Sequence, residues 1–311
     1  MKRVISFCLC MVLLAVGVGY VFLQNKNAKA ETKEKYNGIL RLWQIDSFEG
    51  GKGSRAAFLN RAAAKFEKRH GGVYVMVTGY TAEGAAAAIA EGNAPDLISF
   101  SCGIDGLAEL CVALSERFEG GVIGDGCYAY PWCVGRYYLF SLEEDFTAVT
   151  AENTVISDGG SNLPWVAAAL CGLKGEVKSE ESTSAYVRFL SGKYKYMLGT
   201  QRDVCRFASR GVSVFSTPLC EYDDLYQYMA VTAKNTADIP ACRAFLSYLL
   251  SDETQSSLSE IGMFSLKEIQ AESTLSAFVS RGSLQEVKAQ GEAALKTGDV
   301  KILKSYLKTL N

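Results

Sequence analysis

The chain has 311 residues and a formal net charge of −2, with 49% apolar and 21% charged residues. This balance is typical of a globular protein, and it argues against disorder and gives no electrostatic basis for binding nucleic acid. The length allows a large core, and we expect it to be divided between two lobes. A single histidine argues against histidine-rich metal chemistry.

The first thirty residues are predicted to be a targeting segment. Lys2 and Arg3 precede an uncharged run at 4–23, and a small-x-small pattern ends at Ala30. Cleavage after Ala30 would make this a secretory signal. The apolar run is long for a cleaved signal, and about 20 apolar residues can span a bilayer, so an uncleaved anchor is the alternative. Both interpretations place residues 31–311 outside the cytoplasm.

Eight cysteines follow the leader. An exported chain favours disulfides, whereas several of these cysteines sit in apolar runs where cysteine packs as a small hydrophobe. The spacings leave open whether all are reduced or one or two disulfides form. No Cys-x-x-Cys pair is present, so neither a zinc site nor a dithiol redox site is predicted.

Residues 39–103 predict alternating strands and helices. The expected elements are a strand at 39–45, a helix at 55–69 capped by Ser54, a strand at 73–77, a helix at 82–90 and a strand at 96–100. This alternation predicts an α/β fold with mixed, mainly parallel sheets flanked by helices. Such sheets bind ligands where the carboxyl ends of strands meet helix N-termini.

The remaining sequence continues the pattern. Helical spacing of apolar residues predicts a helix at 107–114, and strands are expected at 136–142 and 154–157. The second of these runs into a glycine turn and a helix beginning near Pro164, with Ser161 or Asn162 as its N-cap. Further predicted elements are helices at 184–190 and 239–250, strands at 194–198 and 225–231, and two short helices within 283–310.

Several segments, taken in order, resemble the extracellular solute-binding proteins of ABC importers, family 1, the maltose-binding-protein-like group. The resemblance rests on Leu42-Trp43-Gln44, Gly51-Lys52-Gly53-Ser54-Arg55, Ala94-Pro95-Asp96-Leu97, Gly159-Gly160-Ser161-Asn162, Gly199-Thr200-Gln201-Arg202-Asp203 and Ile261-Gly262-Met263-Phe264. It covers most of residues 38–266. It implies the periplasmic-binding-protein fold, in which two α/β lobes are joined by crossovers and a cleft closes on a ligand.

The resemblance also implies a domain organisation. Residues 31–37 would be a linker, 38–133 and 216–266 would form lobe 1, 134–215 a short lobe 2, and 267–311 C-terminal helices packing on lobe 2. The segments 130–132 and 214–219 resemble the crossovers. Lobe 2 is short for this family, because 142–153 lacks the usual helical insertion, and a trimmed lobe fits either a shallower cleft or a changed task.

The implied function is capture of a small ligand, a sugar or oligosaccharide, by a monomer that delivers it to an ABC permease. The alternative is a membrane-anchored receptor or scaffold module without a transport role. Aromatic faces for sugar rings, polar groups for hydroxyls and backbone N–H groups at a helix start make up the expected ligand site. Its candidate residues are Trp43, Gln44, Asp46, Lys52, Ser101, Trp132, Tyr137, Gly160, Ser161, Asn162, Gln201, Arg202 and Asp203.

No catalytic site, metal site or cofactor is predicted. The turn around Lys52 lacks the Gly-x-x-x-x-Gly-Lys-Ser/Thr spacing of a phosphate-binding loop. There is no Gly-x-Ser-x-Gly elbow, and His70 falls at a helix end away from the strand ends. Since nucleophile, base and orienting group do not assemble, we do not expect an enzyme.

Overall fold

The computed structural model describes residues 36–159 and 162–310. Residues Gly38 to Asn311 form one compact unit. The predicted targeting segment lies outside the described residues. Among the helices that can be described, none combines the length and the apolar character that crossing a bilayer requires.

Lobe 1 is built on a five-stranded sheet with the order β2-β1-β3-β12-β6. Its strands are β1 (Gly38–Ile45), β2 (Val73–Tyr80), β3 (Leu97–Phe100), β6 (Tyr130–Val134) and β12 (Tyr226–Val231). β1 pairs in parallel with β2 and β3, whereas β12 is antiparallel to β3 and β6. A small hairpin, β4 (Val122–Ile123) and β5 (Gly126–Cys127), precedes β6.

The helices of lobe 1 cover this sheet. They are α1 (Arg55–Arg69), α2 (Ala82–Ala90), α6 (Ile239–Leu249) and the short α7 (Asp252–Gln255), which runs into a 3-10 turn at Ser256–Ile261. The Ser54 hydroxyl accepts a hydrogen bond from the Ala57 N–H and caps α1, as the sequence predicted. Phe66 of α1 packs edge-on against Phe245 of α6, with 5.3 Å between the ring centres.

Lobe 2 has a second five-stranded sheet with the order β11-β7-β10-β8-β9. Its strands are β7 (Tyr137–Ser141), β8 (Thr154–Asp158), β9 (Lys178–Glu181), β10 (Tyr196–Thr200) and β11 (Phe215–Pro218). Its helices are α3 (Pro164–Leu170), α4 (Ser182–Leu190) and α5 (Gln201–Ser209). The chain passes from lobe 1 to lobe 2 at 135–136 and returns through 219–225, so the crossovers lie just after the segments expected to form them.

A segment that we call the strap, residues 265–280, runs from lobe 1 to the two C-terminal helices. The Glu272 N–H donates to Cys220, the Ala277 N–H donates to Gly120, and Val279 accepts from the Gly103 N–H. Helices α8 (Arg281–Thr297) and α9 (Lys301–Thr309) follow. α8 packs closely on α3 in lobe 2, because a Cβ at Gly291 would lie 2.9 Å from a Val166 methyl.

Two local predictions need correction. The helix expected at 107–114 is only a 3-10 turn at Ala108–Leu110, because the Val112 N–H bonds to the Val231 carbonyl at the end of β12. The N-cap of α3 is Leu163, without a side-chain cap, so Asn162 does not serve as the cap. The α/β fold with helix-flanked, mixed sheets is confirmed. All eight described cysteines are free thiols.

Candidate functional site

The carboxyl ends of β1 in lobe 1 and of β8 and β10 in lobe 2 lie on the facing rims of the two lobes. The loop after β1 reaches across at Glu49. The Glu49 carboxylate forms an ion pair with Arg202 at the start of α5, and it accepts a hydrogen bond from the Ser182 hydroxyl at 3.3 Å. The backbone carbonyl of Glu49 accepts from the Gln201 side-chain amide at 2.9 Å. We call Glu49, Gln201 and Arg202, with these contacts, the rim clasp.

The clasp is placed by local features of the chain. Thr200 and Asp203 form a capping box at the start of α5, which holds Gln201 and Arg202 at the rim. Gln201 also accepts from the Arg136 backbone N–H at 2.9 Å, which ties α5 to the first crossover. Gly159, at the end of β8, leaves space for the Glu49 side chain. A Cβ at position 159 would lie 2.8 Å from the carboxyl carbon of Glu49.

The loop that carries Glu49 is itself held by close backbone packing. A Cβ at Gly51 would lie 2.1 Å from the Gly262 carbonyl oxygen, and the Lys52 N–H donates to Ile261 at 2.9 Å. Asp46 starts this loop and pairs with the buried guanidinium of Arg55 at 2.7 Å. The glycines of this turn therefore serve close approach between chain segments.

Behind the clasp, Asp224 ties the return crossover to lobe 2. It lies in the return crossover, accepts from the Tyr137 hydroxyl at 2.5 Å and accepts from the Leu163 N–H at 2.9 Å. Burial raises the pKa of Asp224 to about 6, although the hydrogen bonds from Tyr137 and Leu163 oppose the shift. Burial also raises the pKa of the nearby Cys102 thiol to about 12, so this thiol is neutral at physiological pH.

The structure places most of the sequence-predicted site residues in packed surroundings. Trp43 is 6% exposed and stacks on Tyr80 at 4.1 Å, inside the lobe 1 core. Trp132 is fully buried, and its indole N–H donates to the Ser99 hydroxyl. The other buried candidates are Gln44, Ser101, Tyr137, Asn162, Gln201 and Asp203.

Three candidates keep exposed surface at the rim, namely Asp46, Lys52 and, in part, Arg202. Gly160 and Ser161 lie outside the described residues. The structure brings Gln201 and Arg202 together, but it does not bring Trp43 or Trp132 to the rim. In the described part of the chain, no group of three or more His, Cys, Asp or Glu side chains is arranged to hold a metal ion.

Two important carboxylates are absent from the sequence-based site. Glu49 stands directly before Gly50-Gly51, and a lone carboxylate in a glycine-rich turn after a strand is a signal that could have identified it. No feature of the sequence identifies Asp224 as a site residue. Adjacent Asp223 and Asp224 diverge along an extended chain, and only the packing of the return crossover against β7 and the start of α3 gives Asp224 its partners.

No protein-family model matches the sequence, and no curated protein matches it. Solved structures that share the fold include the following three. The sugar-binding protein MalE from Xanthomonas citri is 13% identical, with a TM-score of 0.59 over 88% of this chain and 95% of that chain. The maltose/maltodextrin-binding domain MalE from Bdellovibrio bacteriovorus, bound to maltotriose, is 12% identical, with a TM-score of 0.55 over 88% and 94%.

The GacH receptor of Streptomyces glaucescens, solved unliganded and with acarbose, is 15% identical, with a TM-score of 0.54 over 88% of this chain and 99% of that chain. At these identities the likeness concerns the fold. It agrees with the two sheets, the paired crossovers and the facing rims described above. The chain therefore has the two-lobed α/β fold of the periplasmic solute-binding proteins.

Proposed function

We propose that this protein is an extracytoplasmic solute-binding protein that captures a small ligand between its lobes and passes it to an ABC permease. The observation that carries the proposal is the rim clasp, in which polar groups of both lobes converge at strand ends. A ligand entering there would take over hydrogen-bonding groups that Glu49, Gln201 and Arg202 now satisfy for one another. Closure of two lobes around such a ligand is a known route to specific capture.

Carbohydrate is the ligand class we favour. Carboxylate, amide and guanidinium groups together supply the donors and acceptors that sugar hydroxyls need. Two of the fold neighbours were solved with maltotriose or acarbose, which supports the same class. Because Trp43 and Trp132 are buried, the proposed recognition depends on hydrogen bonds more than on stacking.

The proposed organisation keeps residues 31–37 as linker, moves the lobe boundaries to the crossovers at 135–136 and 219–225, and divides 267–311 between the strap and the two C-terminal helices. We also propose that the chain acts as a monomer, without nucleic acid, outside the cytoplasm. Mass spectrometry of the exported protein would decide the fate of the leader. A chain beginning at Glu31 supports a cleaved signal, and an intact N-terminus supports an anchor.

The test is a thermal-shift and calorimetric screen of the full chain with maltotriose, acarbose and a panel of other sugars. A ligand present at 100 times its Kd should stabilise the protein by about 2.7 kcal/mol. Arg202→Gln should reduce this stabilisation. Arg61→Gln is the matched control, because Arg61 forms an exposed ion pair with Glu260 away from the rim.

Glu49→Ala gives a second arm of the test. Because Glu49 supplies the carboxylate acceptor of the proposed site, removing it should weaken binding by about two- to fivefold, the range of a partly exposed polar contact. A screen in which no sugar stabilises wild type or Glu49→Ala would overturn the carbohydrate proposal. An unchanged stabilisation in Arg202→Gln would remove the rim clasp from the binding site.

A further inference from the structure

A second space between the lobes lies apart from the rim clasp. It is a cavity of about 800 Å³ bounded by lobe 1 near Phe118, by the strap, by the end of α3 and by α9. None of its lining residues belongs to the rim clasp. Its volume falls within the roughly 300–1,000 Å³ of small-molecule sites.

One part of the cavity wall is apolar. Phe118 and Tyr226 contribute rings whose centres are 5.5 Å apart, and Ile269 of the strap and Leu307 of α9 complete this surface. Tyr226, Ile269 and Leu307 are buried, whereas Phe118 is half-buried. This surface suits a hydrocarbon or aromatic side chain.

Charges of opposite sign stand on different walls. Glu119 of lobe 1 and Glu272 of the strap provide carboxylates, whereas Lys304 and Lys308 provide ammonium groups. The two lysines are four residues apart on α9 and therefore share one face of that helix. Within residues 36–159 and 162–310, no hydrogen bond or ion pair engages the side chains of Glu119, Glu272, Lys304 and Lys308. A third lining carboxylate, that of Glu221, accepts a hydrogen bond from the Cys220 N–H.

We propose that this cavity binds a short apolar peptide with free termini. The peptide carboxylate pairs with Lys304 and Lys308, its ammonium group pairs with Glu119 and Glu272, and its apolar side chains cover Phe118. A neutral sugar would leave both sets of charges unpaired. A phosphate-type anion would meet the carboxylates, which disfavours it.

The site would respond to the arrangement of the lobes. Its walls come from lobe 1, from the strap and from α3 and α9, which belong to the lobe 2 side. A peptide that binds one lobe arrangement better than another shifts the population toward that arrangement. The inference goes beyond solute capture at the rim, and it does not depend on a sugar binding there.

The experiment is calorimetric titration of the full chain with phenylalanyl-leucine, its N-acetyl derivative and its C-terminal amide. Free dipeptide should bind, and each blocked derivative should bind up to about tenfold more weakly because one terminus loses its two ion pairs. The double variant Lys304→Glu/Lys308→Glu should lose about tenfold or more in affinity for the free dipeptide. The double variant should also lose the wild-type difference in affinity between the free dipeptide and its C-terminal amide.

Lys301→Glu is the matched control, because Lys301 lies on the same helix, is exposed and does not line the cavity. It should keep the wild-type affinity, and thermal unfolding of every variant checks the fold. Absence of binding by the dipeptide overturns the proposal. So does equal affinity in wild type and the Lys304/Lys308 double variant, since the peptide would then bind elsewhere.

Discussion

Replacing Asp224 with asparagine should remove a specific pH dependence from the stability of the protein. The pKa of this buried carboxyl is raised from its ordinary value of 3.8 to about 6, chiefly by burial. At a pH between 3.8 and about 6, the Asp224 carboxyl is protonated in the folded protein and ionised in the unfolded chain. The free energy of unfolding therefore falls as the pH rises through this window, because the folded state binds more protons.

The magnitude follows from the size of the shift. The difference between about 6 and 3.8 is about 2.2 pH units, which corresponds to about 3 kcal/mol at 1.36 kcal/mol per unit. The asparagine side chain in Asp224→Asn does not titrate. The free energy of unfolding of this variant should therefore not show this fall with rising pH. The difference in free energy of unfolding, wild type minus variant, should decrease by about 2 kcal/mol between pH 4 and pH 7, because part of the full effect lies below pH 4.

Urea unfolding followed by tryptophan fluorescence at several pH values measures this difference. Burial also raises the pKa of Asp203, and this effect largely cancels when the two proteins are compared. The pKa of Asp223 is raised by burial and further by the Asp224 charge, so part of the Asp223 contribution stays in the difference. Asp125→Asn, at an exposed loop position, is the control and should follow wild type. A difference that stays flat within about 0.5 kcal/mol, or that grows with pH, would refute the reasoning about the Asp224 environment.

Four further substitutions test the packing. Gly51→Ala would place a Cβ 2.1 Å from the Gly262 carbonyl oxygen, so we expect a loss of about 1–3 kcal/mol in thermal unfolding. Gly79→Ala has open space around the new Cβ and should stay within about 0.5 kcal/mol of wild type. Trp43→Ala should cost about 3–5 kcal/mol in urea unfolding, and a cost below about 1 kcal/mol would contradict its burial. Ser99→Ala removes a fully buried hydroxyl that accepts from two buried side chains, and unfolding should become easier by about 1–3 kcal/mol.

Much of the secondary structure could be predicted from local sequence. Helix α1 lies where the pattern placed it, because Ser54, its apolar stripe and the glycines after His70 act within a few residues of one another. Residues 107–114 show the opposite case. Their apolar spacing is helical, but the pairing of Val112 with Val231 draws the chain into an extended path that local pattern cannot indicate.

The candidate site was predicted less completely than the fold. Strand ends and helix starts were expected at the rim, and Gln201 and Arg202 do lie there. A tryptophan at a strand end favours a ligand-binding interpretation. Trp43, however, faces the α2 side of the lobe 1 sheet and stacks on Tyr80. Which face of a buried strand meets a helix and which meets a ligand depends on neighbours that are distant in the sequence.

The order and type of most helices and strands, and with them the α/β class, follow from the sequence alone, because periodicity, caps and turn residues act over short distances. The contacts of Glu49 with Arg202, the burial of Asp224 against lobe 2 and the cavity behind α9 appear only in the tertiary structure. Each of these features joins segments far apart in the chain. Their geometry is set by how the two lobes, the strap and the C-terminal helices pack together, and no local pattern encodes that packing.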